Sequence, residues 1–343
     1  MISLNKLKLG ILFGGKSEEH EVSVMSARSV YNSADKEKYN LYPIAVDKKG
    51  NWLNQKDSIK IIEDESIKEV PLLNDGNKKG LNNFINEDFD VIFPLIHGPY
   101  GEDGKIQGLF ELLEIPYIGA NVLSSSIGMD KEIMKKLFEY NNLRQTDFIT
   151  VKKHKEDKYE TIDQFIKKTG FPIFVKPANL GSSIGISKVN SKNDIKNAVN
   201  TAFKYDSKVI IEEGIKAREI ECSVLGNNNF KASLPGEIIP AHDFYDYQAK
   251  YKDETTKLII PAELDDEIIK KVQDMAIKAF EIIDGKGLAR VDFFLKGEDV
   301  YINEINTIPG FTKYSMYPKL WEASGLKYPD LIDELVEIAL DDS

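Results

Sequence analysis

Apolar and polar positions alternate along this chain with two different periods. Lys8 to Phe13 is a short apolar run that predicts a strand. Glu21 to Asn32 carries Val22, Met25 and Val30 on one side, the spacing of an amphipathic helix. Tyr39 to Val46 and Asp90 to Ile96 read as further strands, Lys105 to Leu113 as a helix, and Pro116 to Gly119 as a short strand. Strand and helix in alternation imply an α/β fold with a parallel sheet, whose ligand loops lie at the strand C-termini. The polar, irregular stretch Asp47 to Asn86 yields no element.

A second unit starts near Ser124, with a helix from Asp130 to Tyr140 and a strand from Pro172 to Lys176. A Gly/Ser-rich loop follows, then a helix around Asp194 to Phe203 and a strand from Lys208 to Glu212. The third unit, from about Gly214, is rich in strands and has a long helix near Asp265 to Ile283. A loop of unusual composition, Pro240 to Thr256, crosses it. There are no internal repeats and no low-complexity tracts.

The most informative pair of strands is Arg290 to Leu295 and Tyr301 to Asn306, joined by a turn at Gly297 to Asp299. Side chains alternate faces, so Arg290, Asp292 and Phe294 share one face, and Glu304 and Asn306 share another. If the two faces coincide, a guanidinium, two carboxylates and a carboxamide converge. Hard oxygen ligands of this kind suit Mg²⁺, which takes one or two carboxylates and lets substrate phosphates complete its octahedron. The pattern points to a Mg²⁺–nucleotide site with an arginine beside the phosphates. The alternative is a surface hairpin with solvated charges, against which stands the run N-E-x-N-T-x-P-G closing the second strand.

Composition narrows the class. The 343 residues suffice for two or three domains, with 42% hydrophobic and 29% charged positions typical of a soluble globular protein. A net charge of −11 disfavours nucleic acid and anionic membranes as partners. Cys222 is the only cysteine, so no internal disulfide forms and a reducing, cytoplasmic setting fits. It lies in a strand-like run as a small buried residue. Met1 to Lys8 is too polar for a signal peptide, and no apolar run approaches the ~18 residues of a membrane helix. The four histidines lack zinc-type spacing.

Two glycine loops carry different messages. Gly10 to Ser17 formally fits G-x-x-x-x-G-K-[ST], yet three of its four x positions are the strand itself. A strand-to-helix turn at Gly14-Gly15, with the helix N-terminus facing a ligand, is the better reading. Glu21 would sit near that ligand, either on a substrate ammonium or as charge compensation for the helix. The loop Gly181 to Gly185 instead joins two strands, and its glycines and serines can cover a phosphate chain beside Lys176. His97 begins a loop at a strand's C-terminal end and could donate to a carboxylate.

The ordered motifs HGPYGEDG, MDK, VKP, GSSIG, FYDYQAKY, ARVDFF and NEINTIPGFT resemble those of the D-alanine–D-alanine ligases, ATP-grasp enzymes. The resemblance runs from Phe13 to Asp330. It implies three domains: 1–124, an N-terminal α/β substrate-binding domain; 125–213, a central ATP-grasp subdomain; and 214–343, a catalytic domain with a mobile lid at 240–256. ATP would lie between the two antiparallel sheets. Lys131 and Lys176 would hold ATP phosphates, with Ser183 and Lys250 among the ATP-binding residues, Glu212 at the adenine and Glu219 at the ribose. Asp292, Glu304 and Asn306 would ligate two Mg²⁺ ions, for which Mn²⁺ can substitute; K⁺ is a further cofactor candidate. Arg290 would stabilise the transferring phosphoryl group. Glu21 would pair with the first D-alanine's ammonium and His97 with its carboxylate. Ser182 would bind substrate and hydrogen-bond toward Tyr251 on the lid. Gly310, Ser315 and Met316 would hold the second D-alanine. The implied product is D-alanyl-D-alanine, a peptidoglycan precursor, made by a homodimer. The lid sequence resembles that of dipeptide-forming members rather than D-lactate- or D-serine-using relatives. Tyr100 departs from the family, where a small or polar residue is usual.

Overall fold

The computed structural model describes residues 6–73, 79–181, 184–240 and 256–341. In its first part, β1 (Leu7–Gly14), α1 (His20–Ser33), β2 (Tyr39–Val46), α2 (Gln55–Glu63), α3 (Lys79–Ile85), β3 (Val91–Pro94) and α4 (Lys105–Leu112) follow one another. The strands form a parallel sheet in the order β2-β1-β3. Both faces are covered, as a parallel sheet requires. Leu9, Ile11 and Phe13 point into one core with Val24 and Ala27 of α1, while Leu12 joins Ile44, Ile92 and Phe110 in another. The stretch without a sequence assignment contains α2 and α3. Asn54 caps α2 by accepting from the Asp57 amide at 3.0 Å.

Two short helices lead onward: α5 (Val122–Met129) and α6 (Lys131–Tyr140). Asp130 caps α6 through the amides of Glu132 and Ile133. Then come β4 (Phe148–Lys152), α7 (Lys158–Thr169), β5 (Ile173–Pro177), β6 (Ser187–Val189), α8 (Lys192–Ala202) and β7 (Lys208–Glu213). They build an antiparallel sheet ordered β4-β7-β5-β6. Its helices cover one face, burying Val175, Val209 and Ile211 under Ile162, Phe165 and Val199. The Gly/Ser-rich loop joins two strands, as the sequence implied, because β5 and β6 pair antiparallel.

The third sheet contains β8 (Arg218–Leu225), β9 (Lys231–Ala232), β10 (Gly236–Ile239), β11 (Lys257–Ile259), β12 (Leu288–Lys296) and β13 (Asp299–Asn306). Its order is β11-β10-β8-β12-β13, with β9 on β8. The long helix α9 (Asp266–Ile282) lies on one face, where Val272, Ala276 and Phe280 meet Cys222, Val291 and Phe293. Met134 and Phe138 of α6 belong to this same core. Cys222 is fully buried, which pushes its thiol pKa up to about 12 and leaves it inert. The last two helices, α10 (Met316–Ala323) and α11 (Tyr328–Leu340), return to the first sheet. Tyr317, Trp321, Leu331 and Leu335 share a core with Leu9, Phe13 and Phe93. Among the described residues no helix is long and apolar enough to cross a membrane.

Candidate active site

The faces of the second and third sheets that lack helices bound a cavity of about 1190 Å³, which also reaches the helix N-terminus after β1. Its floor is the β12–β13 pair. Arg290 stands opposite Asn306, and Asp292 opposite Glu304. These four are half-buried, while Val291, Phe293, Ile302 and Ile305 between them are buried. Period-two alternation thus brings the polar set together. Asp292 accepts from Arg290 Nε and Nη2 at 2.7 and 2.8 Å and from Asn306 Nδ2 at 2.9 Å. The register shifts after Asp292, so Phe293 faces Ile302 and Asn303 is the extra residue of a bulge. Asn303 and Glu304 therefore both reach the cavity.

Glu221, which the sequence reading missed, lies on β8 opposite Asp292 with its Oε2 2.9 Å from Arg290 Nε. Its signal was the alternation Glu219-x-Glu221, which puts both carboxylates on the cavity face; Glu219 lines the cavity as well. Among the described residues no three His, Cys, Asp or Glu side chains form a ready-made metal cage. Asp292, Glu304 and Asn306 instead resemble the sparse kind of oxygen set that Mg²⁺ can share with phosphates. Two cationic groups already stand against these carboxylates, Arg290 on Asp292 and Lys131 at 3.4 Å from Glu304. The donor set fits a divalent cation.

The facing wall carries lysines. Lys131, at the start of α6, donates to the Leu180 carbonyl at 3.0 Å, at the edge of the Gly/Ser-rich loop. Lys176 on β5 lies 2.5 Å from Glu212 Oε2, and Lys135 of α6 lies 2.9 Å from Glu212 Oε1. Burial alone would raise the Glu212 pKa; the two ammoniums outweigh it and hold the carboxyl at about 2. Burial likewise opposes the Lys176 ammonium, and Glu212 overrides that, raising its pKa.

The third wall comes from the first sheet. Gly14 and Gly15 turn the chain from β1 into α1 at φ of 93° and 89°. A Cβ at Gly14 would lie 2.1 Å from the Val46 carbonyl, so only glycine fits. Glu19 and Glu21 both line the cavity. Glu19 is the better placed of the two: its Oε2 is 3.1 Å and 3.5 Å from where Cβ atoms of Gly98 and Gly181 would stand. It thus lies between two ligand loops, a placement the sequence reading did not foresee. His97 is buried, with Nδ1 donating to the Ile308 carbonyl at 2.9 Å and Nε2 3.2 Å from Ser26 Oγ. Burial disfavours the imidazolium, but Glu102, Glu19 and the Ile308 carbonyl outweigh it and raise the pKa. His97 also ties the loop after β13 to the first sheet through the Ile308 carbonyl.

That loop is self-braced. Ser315 Oγ accepts from the Thr312 amide at 3.1 Å and lies 2.8 Å from Thr312 Oγ1. A Cβ at Gly310 would be 3.0 Å from Ser315 Oγ, so the two residues are adjacent across the turn. Met316 is buried against Ile238 and Leu320 and closes the cavity there. Ser182, Ser183, Lys250 and Tyr251 lie outside the described residues, as does the lid apart from its ends.

Lys16 is not part of this cavity. It is exposed, with its ammonium 5.0 Å from the Tyr100 ring centroid. The P-loop alternative is therefore rejected on geometry. Lys16→Ala is expected to change turnover less than about twofold and stability by no more than ~0.5 kcal/mol, the range of exposed substitutions. A steady-state assay with thermal melting checks this, and abolished activity would restore the P-loop reading.

Known proteins resemble this chain over almost all of its length. Residues 8–120 match the family model for the D-ala D-ala ligase N-terminus, and 137–337 the model for its C-terminus. The chain is 56% identical to the D-alanine–D-alanine ligase of Halothermothrix orenii, covering 99% of this chain and 100% of that one. Among solved structures, the D-alanine–D-alanine ligase of Coxiella burnetii superposes with a TM-score of 0.82 at 36% identity, over 98% and 94% of the two chains. The VanG D-Ala:D-Ser ligase of Enterococcus faecalis also gives 0.82, at 32% identity and 98% and 100% coverage. The ATP complex of the Bacillus anthracis D-alanine–D-alanine ligase gives 0.78, at 31% identity and 98% coverage of both. With both family models matched over nearly its full length, the chain belongs to the D-alanine–D-alanine ligase family, whose three-domain ATP-grasp architecture it shares.

Proposed function

We propose that this chain joins two D-alanine molecules at the expense of ATP, through a D-alanyl phosphate. The observation that carries the reading is the row Glu221, Asp292 and Glu304 with Arg290, set across one cavity from Lys131 and Lys176. Such an arrangement suits transfer of an anionic group, with cationic side chains on two walls. Phosphoryl transfer asks chiefly for positioning and for positive charge around the equatorial oxygens. Three domains bounded at 1–124, 125–213 and 214–343 would each supply one wall.

In this mechanism the first D-alanine's carboxylate oxygen attacks the γ-phosphorus, the bond to the β-phosphate breaks, and ADP leaves. The second D-alanine's amine then attacks the acyl carbon, loses a proton, and phosphate departs. Phosphorylation gives a carboxylate the leaving group it lacks. Asp292, Glu304 and Asn306 would hold two Mg²⁺, which when bound neutralise phosphate charge. Arg290 would meet the transferring group, and Lys131 and Lys176 the phosphates. For the first D-alanine's ammonium, the position of Glu19 between two loops favours it alongside Glu21. His97, whose pKa is raised against burial by Glu102 and Glu19, would face the substrate carboxylate. Gly310 and Ser315 would position the acceptor, and the lid with Lys250 and Tyr251 would exclude water from the acyl phosphate.

A D-alanine–D-serine ligase is the second reading, since one structural relative bears that name. The lid run Phe244 to Tyr251 favours the dipeptide of D-alanine. The test is phosphate release with ATP, Mg²⁺ and D-alanine alone, then with D-serine or D-lactate, with products identified by mass. Release with D-alanine alone and formation of the dipeptide is expected. A mixed product would overturn the acceptor assignment, and no D-alanine-dependent release would overturn the function.

A further inference from the structure

One buried charge beside the cavity has no part in the reaction just described. The Lys135 side chain is 1% exposed and does not line the cavity, although Lys131, Lys176 and Glu212 do. Its ammonium lies 2.9 Å from Glu212 Oε1 and 5.6 Å from the centroid of the Phe148 ring. The other Glu212 oxygen lies 2.5 Å from Lys176. Burying an ammonium costs several kcal/mol, and a buried ion pair rarely returns more stability than an apolar residue of the same size. A lysine here, on a helix whose Met134 and Phe138 are core residues, is poorly explained by stability.

Position explains it better. The α6 helix packs in the core of the third sheet, whereas Glu212 and Lys176 stand on the second. Lys135 is thus a fixed point from one side of the cleft that grips a carboxylate on the other. It also divides that carboxylate's attraction. Burial lowers the Lys135 pKa and Glu212 opposes that. When both lysines are protonated they share one Glu212 carboxylate, and of the two only Lys176 lines the cavity, where it also feels Glu304 and Glu219. We propose that Lys135 is a positioning residue for the nucleotide: it holds Glu212 from behind and keeps the Lys176 ammonium available to a polyphosphate. This rests on the reading of the cavity as a nucleotide site.

Lys135→Met tests it. Methionine is nearly isosteric, and the remaining Lys176–Glu212 pair is neutral, so the buried site stays compensated. Lys135→Gln, which keeps a donor toward Glu212 without the charge, carries the same expectation should the methionine variant not fold. The KM for ATP and the Kd for ATP–Mg²⁺ measured without D-alanine should weaken about tenfold or more, the scale of supporting-residue substitutions. The KM for D-alanine should stay unchanged, and Lys135→Arg should recover part of the loss. Wild-type ATP affinity with only a lowered melting temperature would overturn the proposal and make Lys135 merely structural. A Lys176→Met control separates the two failures: if it binds ATP normally, the nucleotide reading of the cavity itself falls.

Discussion

Asp292→Asn should reduce turnover on the order of 10²–10³-fold, the scale on which single groups that stabilise developing charge act. Asp292 sits in register between Glu221 and Glu304, and Arg290 grips it through two hydrogen bonds. Asparagine keeps the shape but removes the charge that a divalent cation needs. The fold should survive, because Arg290 retains Glu221 at 2.9 Å and the substituted side chain is only half-buried. Phosphate release at saturating ATP and D-alanine, together with a melting curve, measures both parts. Near-normal turnover would sink the metal assignment. A collapsed melting curve would show that Asp292 holds the sheet rather than a cofactor.

The second large effect is on stability. Phe311→Ala should cost about 3–5 kcal/mol, the range for removing a buried aromatic ring from a core. Phe311 is fully buried, with ring centroids of Phe93, Tyr328 and Tyr317 at 5.0, 5.4 and 5.8 Å. Its amide donates to Ser26 Oγ at 3.2 Å, and its carbonyl accepts from Tyr328 Oη at 2.6 Å. The ring therefore pins the loop of Gly310 and Ser315 to the first sheet. Denaturant unfolding should show the loss, and the KM for D-alanine should rise as the loop loosens. A destabilisation below 1 kcal/mol would mean the core closes over the gap and the loop is held by other contacts.

The floor of the site was legible because a strand's side chains alternate with period two. Arg290, Asp292, Glu304 and Asn306 needed only correct pairing of two neighbouring strands, and a short turn left little choice. The bulge at Asn303 was not legible, since no glycine or proline marks it. Lys135 and Glu221 were missed for a different reason: each gains its meaning from a partner on another element, Glu212 and Arg290, and strand order is not written in local pattern. Glu19 was passed over for Glu21 because both fall at the N-terminus of one helix, and only the fold shows which of them lies between the loops of Gly98 and Gly181. The helix α2 escaped because only Ser58, Ile61 and Ile62 are buried on it, too few to stand out from a polar stretch.

The return of α10 and α11 to the first sheet bears on how the protein comes into being. During synthesis β1 and α1 leave the ribosome early, yet Tyr317, Trp321, Leu331 and Leu335, which complete the same core, are made much later. Val24 and Ala27 of α1 can cover part of that core early, but it is complete only once α10 and α11 have been translated. Contacts so distant in sequence form slowly and leave apolar strand surface exposed meanwhile. The nascent chain therefore carries an unfinished core until α11 emerges, and a ribosome that stalls before α11 leaves a product whose first sheet has no complete core.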